Sequence, residues 1–117
     1  MAKQRDLVNR TFEFAVSVRR FIDRLPKSIS NYEDAKQLAR SSGSVAANYL
    51  EAQEGLSRKD FFYRIKVCRK EARETGLWLQ LINCATDESL KDERARLVTE
   101  ADEIKRIFST IATKDDT

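Results

Sequence analysis

The sequence contains no histidine, which removes the side chain most often used as a general base, proton shuttle or metal ligand. Three serines cluster at Ser41, Ser42 and Ser44, but no histidine or suitably spaced lysine accompanies them to activate a hydroxyl. The Glu-x-x-His pairs of di-iron bundles are excluded, and no glycine-rich phosphate loop occurs. We therefore expect no catalytic site, no metal site and no cofactor, and a protein that is not an enzyme.

Cysteine is scarce, and long apolar runs are missing. Cys68 and Cys84 are the two cysteines and form no Cys-x-x-Cys pair, so a zinc site is not predicted. Free thiols are typical of the reducing cytosol. The longest apolar stretch, LWLQLI, is too short to cross a bilayer, and MAKQRDLVNR lacks the apolar region of a signal peptide. We expect a cytoplasmic protein with no membrane association.

Proline and glycine are also rare, with one and three copies among 117 residues, which favours helices over sheets. Apolar residues recur at gaps of three and four in four segments. These segments run from about Leu7 to Leu25, from about Tyr32 to Glu54, from Ser57 to about Ala85, and from the region of Thr86 to Ile111. Pro26 and Gly55 are natural helix stops, and Ser57 is a natural N-cap.

Short connections between long amphipathic helices predict an all-α, up-down-up-down antiparallel four-helix bundle, as one domain over residues 1–117. The periodicity predicts which side chains face the core. The predicted core residues include Phe14, Val18, Leu38, Val45, Gln53, Phe61, Ile65, Leu79, Ile104 and Phe108.

The third predicted helix carries apolar residues on the side opposite its core seam. They are Tyr63, Val67, Trp78 and Leu81. An outer apolar patch usually marks a partner surface, and homo-oligomers are the commonest assemblies. The alternative is a set of scattered surface apolar residues, which are common. We favour self-association through this face.

A basic stripe runs between those two faces of the third helix, and the first helix adds three arginines. The predicted nucleic-acid-binding residues are Lys59, Phe62, Lys66, Arg69, Lys70, Arg73, Arg19, Arg20 and Arg24. Cations in a row follow a phosphate backbone, and an aromatic ring offers a stacking surface for bases. The alternative is an ordinary solvated face. An oligomer would repeat the stripe and strengthen its potential, so we predict binding to nucleic acid, either RNA (free or in a ribonucleoprotein) or DNA.

The second helix carries a polar stripe that we expect on the side opposite Leu38 and Val45. It consists of Gln37, Arg40, Ser44, Asn48 and Glu51. Small residues flank it, whereas a solvated helix face usually carries lysine and glutamate. Arg40 and Glu51 are too far apart to pair with each other, so each needs a partner elsewhere if it is covered. We interpret the stripe as a covered surface that fixes helix packing, with a solvated face as the alternative.

The run QLARSSGSVAANYLEA, followed by SRKDFFYRIKVCRKEARETGLWLQLI, resembles a bacterial four-helix-bundle protein family. The family includes proteins encoded by intervening sequences in large-subunit ribosomal RNA genes and accessory variability proteins of diversity-generating retroelements. The matching positions are Gln37, Leu38, Arg40, Ser44, Ala46, Asn48, Glu51, Ser57, Asp60, Phe61 and Glu74. Many members read Asn-Ile-Ala-Glu-Gly, whereas this chain reads NYLEA at Asn48–Ala52 and delays the glycine to Gly55.

This resemblance implies a protomer that assembles into a ring-shaped homopentamer. The retroelement members further imply a nucleic-acid-binding partner of a reverse transcriptase. For most members no biochemical role is established, and a shared fold does not by itself transfer a function. The alternative function is an adaptor or scaffold that contacts other proteins and has no nucleic-acid role.

Overall fold

The computed structural model describes the backbone of residues 2–116 and the side chains of residues 7–115. Within residues 2–116 the chain forms four α-helices and no strand, which confirms the predicted all-α class. The helices are α1 (Ala2–Asp23), α2 (Ile29–Gln53), α3 (Arg58–Leu81) and α4 (Glu88–Ala112), followed by a 3-10 helix, Thr113–Asp116.

Each of the last three α-helices begins at a side-chain cap. Ser28, Ser57 and Asp87 each accept a hydrogen bond from the backbone N–H three residues later, which satisfies one of the free donors of the first turn. The Ser57 cap was predicted. Of the cap candidates near Thr86, the structure selects Asp87.

The end of α3 differs from the sequence prediction. The helix ends at Leu81, not near Ala85, because Ile82 is extended and Ala85 has a positive φ of 54°. Gly55 does follow the end of α2, but no glycine in the described part of the chain has a positive φ. Its requirement is steric, since a Cβ at Gly55 would lie 2.9 Å from the carbonyl oxygen of Ala52.

Consecutive helices pack against each other, and α1 also packs against α4, which closes a bundle measuring 48 × 24 × 20 Å. This arrangement confirms the predicted four-helix bundle and places α1 diagonally across from α3. Among the described residues, no helix is long and apolar enough to span a bilayer.

The core is the predicted one at most positions. The side chains of Phe14, Val18, Leu38, Val45, Ile65, Leu79, Ile104 and Phe108 are all buried. Tyr49 packs against Phe108, with ring centroids 5.6 Å apart. Two predicted core residues differ. Phe61 is half-buried, and Gln53 is exposed because Ala52 fills the inward position. Ala52 lies seven residues after Val45, two full turns along the buried face.

One buried amide joins two connections at the same end of the bundle. Asn31 is 3% exposed. Its Nδ2 donates to the carbonyl oxygens of Pro26 (3.0 Å) and Asn83 (2.9 Å), and its Oδ1 accepts from the backbone N–H of Asn83 (2.9 Å). The α1–α2 and α3–α4 connections are therefore held together by a single side chain.

Candidate nucleic-acid interface

An open groove with a volume of about 1330 Å³ runs between α3 and α4. Small residues line its floor at Ala72, Gly76 and Ala101, and Leu77 and Val98 lie beside them. Six basic side chains surround the groove, namely Lys66, Arg69, Lys70, Arg73, Lys105 and Arg106. Three acidic side chains also line it, so the lining carries a net positive charge that attracts anions.

Four of the six cations have acidic partners. Lys105 and Arg106 both pair with Asp102, at 3.3 and 2.8 Å. Lys66 pairs with Asp115 at 2.8 Å, and Lys70 approaches Glu74 at 4.0 Å.

Arg69 and Arg73 differ from these four cations. Across residues 7–115 neither side chain makes an ion pair or a side-chain hydrogen bond. These two guanidinium groups have donors available for an external anion.

The groove brings together four residues of the predicted basic stripe, Lys66, Arg69, Lys70 and Arg73. Lys66, Lys70 and Arg73 are exposed, whereas Arg69 is half-buried. Lys59 is also exposed, but it lies beyond the residues that line the groove. The stripe and the α4 side of the groove form one surface that sequence reasoning on α3 alone did not define.

The prediction that Phe62 offers a stacking surface is wrong. Phe62 is only 6% exposed. Its ring meets Phe61 edge-on at 5.1 Å, and the Arg58 guanidinium covers it at 4.8 Å. Arg58 also donates to the Lys114 carbonyl at 2.8 Å, so the chain that follows α4 lies against the first turn of α3. The Phe62 flank of that turn is covered for this reason.

The three predicted α1 arginines lie away from the groove. Arg19 donates to the carbonyl oxygen of Ala39 on α2 at 3.1 Å. Arg24 pairs with Glu93 and donates to Ser89 on α4. Arg20 is exposed on α1, which lies diagonally across the bundle from α3. One protomer therefore does not join these arginines to the α3 stripe.

Gly43 is explained by Arg19. A Cβ at Gly43 would lie 3.0 Å from Arg19 Nη2, so the missing side chain leaves room for the guanidinium to cross α2. The neighbouring serines are buried and satisfied. Ser42 donates to the Ala39 carbonyl, and Ser41 accepts from the Thr75 hydroxyl at 2.8 Å.

Part of the predicted outer apolar face of α3 is exposed. Tyr63 and Leu81 are exposed as predicted. Leu77 is exposed as well, but it lines the α3–α4 groove. Val67 and Trp78 are half-buried, and Trp78 packs against the core. The Trp78 Nε1 is buried and has no hydrogen-bond partner among the described residues.

The polar stripe of α2 does not lie opposite Leu38 and Val45 as predicted, because it faces α3 and is covered in part. Arg40 pairs with Glu71 at 3.3 Å and with Glu74 at 3.2 Å, both on α3. Arg40 also donates to Gln37. Glu71 is only 6% exposed, and the sequence pattern of α3 alone does not predict this burial. Gln37, Arg40 and Glu51 remain exposed.

Asn48 extends these polar contacts toward the C-terminal end of α2. Its Nδ2 donates to the Ser44 carbonyl at 2.9 Å, and its Oδ1 accepts from Arg64 of α3 at 2.9 Å. Ser44 and Asn48 are both half-buried. This part of the stripe therefore fixes how α2 and α3 pack.

The two cysteines are free and buried. Burial raises the pKa of the Cys68 thiol to about 12, and its Sγ lies 3.5 Å from the Val45 carbonyl oxygen. The thiol is therefore protonated at neutral pH, whereas a reactive cysteine needs the thiolate. In the part of the chain described, no three acidic or cysteine side chains are grouped as metal ligands would be.

Comparison with known proteins identifies a matching family and a similar solved structure. The model of the 23S rRNA-intervening sequence protein family matches residues 3–110. A crystal structure of a protein of unknown function from the S23 ribosomal protein family of Bacteroides thetaiotaomicron VPI-5482 is 28% identical, with a TM-score of 0.79. The match covers 95% of this chain and 98% of that chain. No curated protein matches the sequence.

Proposed function

We propose that this chain, which belongs to the 23S rRNA-intervening sequence protein family, binds nucleic acid through the groove between α3 and α4 and performs no catalysis. The family match confirms the resemblance predicted from the sequence motifs. It assigns no activity, since the similar crystal structure is itself described as a protein of unknown function. The proposal therefore depends on the groove.

The observation that carries the proposal is the pair Arg69 and Arg73. Both line a groove with six basic and three acidic side chains, and neither has an ion-pair partner in the described part of the chain. A guanidinium group presents a planar set of donors that matches phosphate oxygens. Phosphate contacts supply most of non-specific nucleic-acid affinity, because they release condensed counterions.

The test compares Arg73→Glu with Arg96→Glu. Both arginines are exposed on helices, and Arg96 lies outside the groove, between α1 and α4. We expect Arg73→Glu to weaken RNA binding about tenfold and to reduce the salt slope by about one, as for a lost phosphate contact. Fluorescence anisotropy at several salt concentrations measures both. Arg96→Glu should bind like the wild type.

Two results would contradict the proposal. The first is that the wild type binds neither RNA nor DNA at about 50 mM salt, where electrostatic binding is strong. The second is that the two charge reversals weaken binding equally, because the affinity would then come from overall charge.

A second proposal concerns assembly, and exposed side chains favour it. Tyr63 and Leu81 are 61% and 53% exposed on the outer side of α3. We propose that this face joins copies of the chain into a ring-shaped homo-oligomer, with the pentamer that the family resemblance implies. A ring would repeat the cationic groove and raise the local potential for a polyanion.

Light scattering tests the assembly. We expect Leu81→Glu to lower the particle mass, because a charge in an apolar interface is costly to desolvate. Leu50→Glu is the matched control, since Leu50 is 54% exposed on α2. A monomer mass for the wild type at micromolar concentration would refute the assembly proposal.

The adaptor function remains the alternative, with a reverse transcriptase or another protein as the partner. It is supported by the same exposed apolar face, because such faces mark partner surfaces. A pull-down that is unaffected by nuclease and by Arg73→Glu would favour the adaptor over nucleic-acid binding.

A further inference from the structure

Gly76 lies in the middle of α3, where glycine is less favourable than alanine. The other two glycines have contacts that explain them, with Arg19 at Gly43 and the Ala52 carbonyl at Gly55. At Gly76 an added Cβ would meet nothing within 4 Å in the described structure beyond its own helix backbone. Packing inside the protomer therefore gives no reason for this glycine. Its effect is to deepen the floor of the α3–α4 groove.

The groove has two chemically different halves. Lys66, Arg69, Lys70 and Arg73 lie toward the beginning of α3, and Gly76 and Leu77 lie further along the same helix. Because α4 runs antiparallel, Lys105 and Arg106 lie beside the cationic half, and Val98 lies beside the half that contains Gly76 and Leu77. The groove therefore offers cations at one end and an apolar recess at the other.

We infer that the groove selects an unpaired single strand over a duplex, an inference that rests on the proposed nucleic-acid function. A single strand presents both phosphates and free base faces. Its phosphates fit the cationic half of the groove, and its bases fit the apolar half. Since Phe62 is buried, Leu77 and the guanidinium planes of Arg69 and Arg73 are the surfaces on which a base lies.

A duplex uses this groove less well. Its bases are paired and stacked inside, so the duplex exposes phosphate rows and base edges but no free base face. Neighbouring helices pack with their axes about 8–10 Å apart, which leaves a recess too narrow for a duplex to enter. Duplex phosphates still reach the rim at Lys66, Lys70 and Arg73, but the recess at Gly76 stays unused.

The experiment fills the recess without changing any charge. Gly76→Leu places a side chain on the groove floor, and Ala47→Leu makes a similar addition at an exposed position on α2. Each protein is titrated at several salt concentrations with a labelled single-stranded RNA and with the same strand annealed to its complement. Circular dichroism confirms that each variant is helical, and Gly76→Ala provides a smaller addition.

We expect the wild type to bind the single strand about tenfold more tightly than the duplex, as the loss of a base contact predicts. Gly76→Leu should bind the single strand about tenfold more weakly than the wild type does, while its affinity for the duplex changes little. The salt slope should stay unchanged, since every phosphate contact remains. Gly76→Ala should lose less, and Ala47→Leu should bind like the wild type.

Three results would overturn this inference and leave the proposed function standing. They are equal or tighter binding of the duplex, unchanged single-strand binding by Gly76→Leu, and an equal loss for both ligands. Failure of the wild type to bind either RNA, or either form of the corresponding DNA, would overturn both the inference and the proposed function. Binding of poly-glutamate as tightly as the single strand would show a site for acidic polymers in general, and would overturn both as well.

Discussion

The α2–α3 and α1–α4 junctions both contain arginine–glutamate pairs, but water reaches them differently. At α2–α3 the Glu71 side chain is 8% exposed and faces Arg40. At α1–α4 Arg10 contacts Glu100 and Glu103 at 2.7 Å, and all three side chains are about a third exposed or more. A buried carboxylate has lost its hydration and depends on its partner, whereas an exposed one regains water when the partner is removed.

The surroundings of the two pairs also differ in their exposure to water, and the α2–α3 pair again has the drier surroundings. Beside Glu71, the Thr75 hydroxyl donates to Ser41 in a fully buried contact. Between α1 and α4 lies an open groove with a volume of about 320 Å³, lined in part by Ser17 and Leu97. The α2–α3 junction therefore fixes helix packing through buried polar groups, and the α1–α4 junction is bordered by solvated charges.

Among the changes at the two junctions, removal of the Arg40 side chain should lower the free energy of unfolding most. We expect Arg40→Ala to lower the free energy of unfolding by about 2 kcal/mol, because Glu71 would keep a buried charge without its cation. Urea denaturation measures the change. In a Glu71→Gln background the same substitution should cost much less. Equal costs in the two backgrounds would show that the pair is not the cause.

Removal of the hydroxyl contact between Thr75 and Ser41 should lower the free energy of unfolding less. We expect Thr75→Val to cost about 1 kcal/mol, since Ser41 would lose a hydrogen bond inside the core. The double variant Ser41→Ala with Thr75→Val removes both polar groups, and it should be less destabilised than the two single costs added together. Additive costs in denaturant titrations would contradict a direct interaction between the two hydroxyls.

Removal of the arginine at the α1–α4 junction should lower the free energy of unfolding least. We expect Arg10→Ala to cost about 0.5 kcal/mol at low salt and nearly nothing at about 1 M salt, where exposed charges are screened. The Glu100 and Glu103 carboxylates raise the pKa of Arg10 chiefly through the hydrogen bond from Arg10 to Glu100, so Arg10 is charged throughout the neutral range. Thermal unfolding at both salt concentrations is the measurement. A loss as large as that of Arg40→Ala, and insensitive to salt, would remove the contrast between the junctions.

The sequence predicts the bundle well because the periodicity of one helix identifies its buried face. Val18, Ile65 and Phe108 are buried for that reason. It predicts the flanks of that face poorly, because the neighbouring helix that covers each flank is unknown. Phe61, which was predicted to face the core, is half-buried, and Phe62, which was predicted to lie on the surface, is buried. The burial of Glu71 depends on Arg40, 31 positions away in the sequence and on another helix.

The candidate site shows the same limit. The basic residues of α3 are visible in the sequence, but the groove also needs Val98, Ala101 and Lys105 of α4, which only the fold brings beside them. Gly76 was the one sequence feature that could have indicated the groove, because a glycine inside a long helix usually has a packing or functional reason. Its role as groove floor depends on knowing which helix lies opposite.

The Asn31 amide has a consequence for the rates of folding and unfolding. Its contacts with Asn83 join residues 52 positions apart in the sequence, and they form only when both connections meet at one end of the bundle. Such a contact is expected to form late, after the helices have paired. Loss of this side chain would then act mainly on the unfolding rate. We therefore expect the loss of the Asn31 side chain to shorten the lifetime of the folded molecule more than it slows folding.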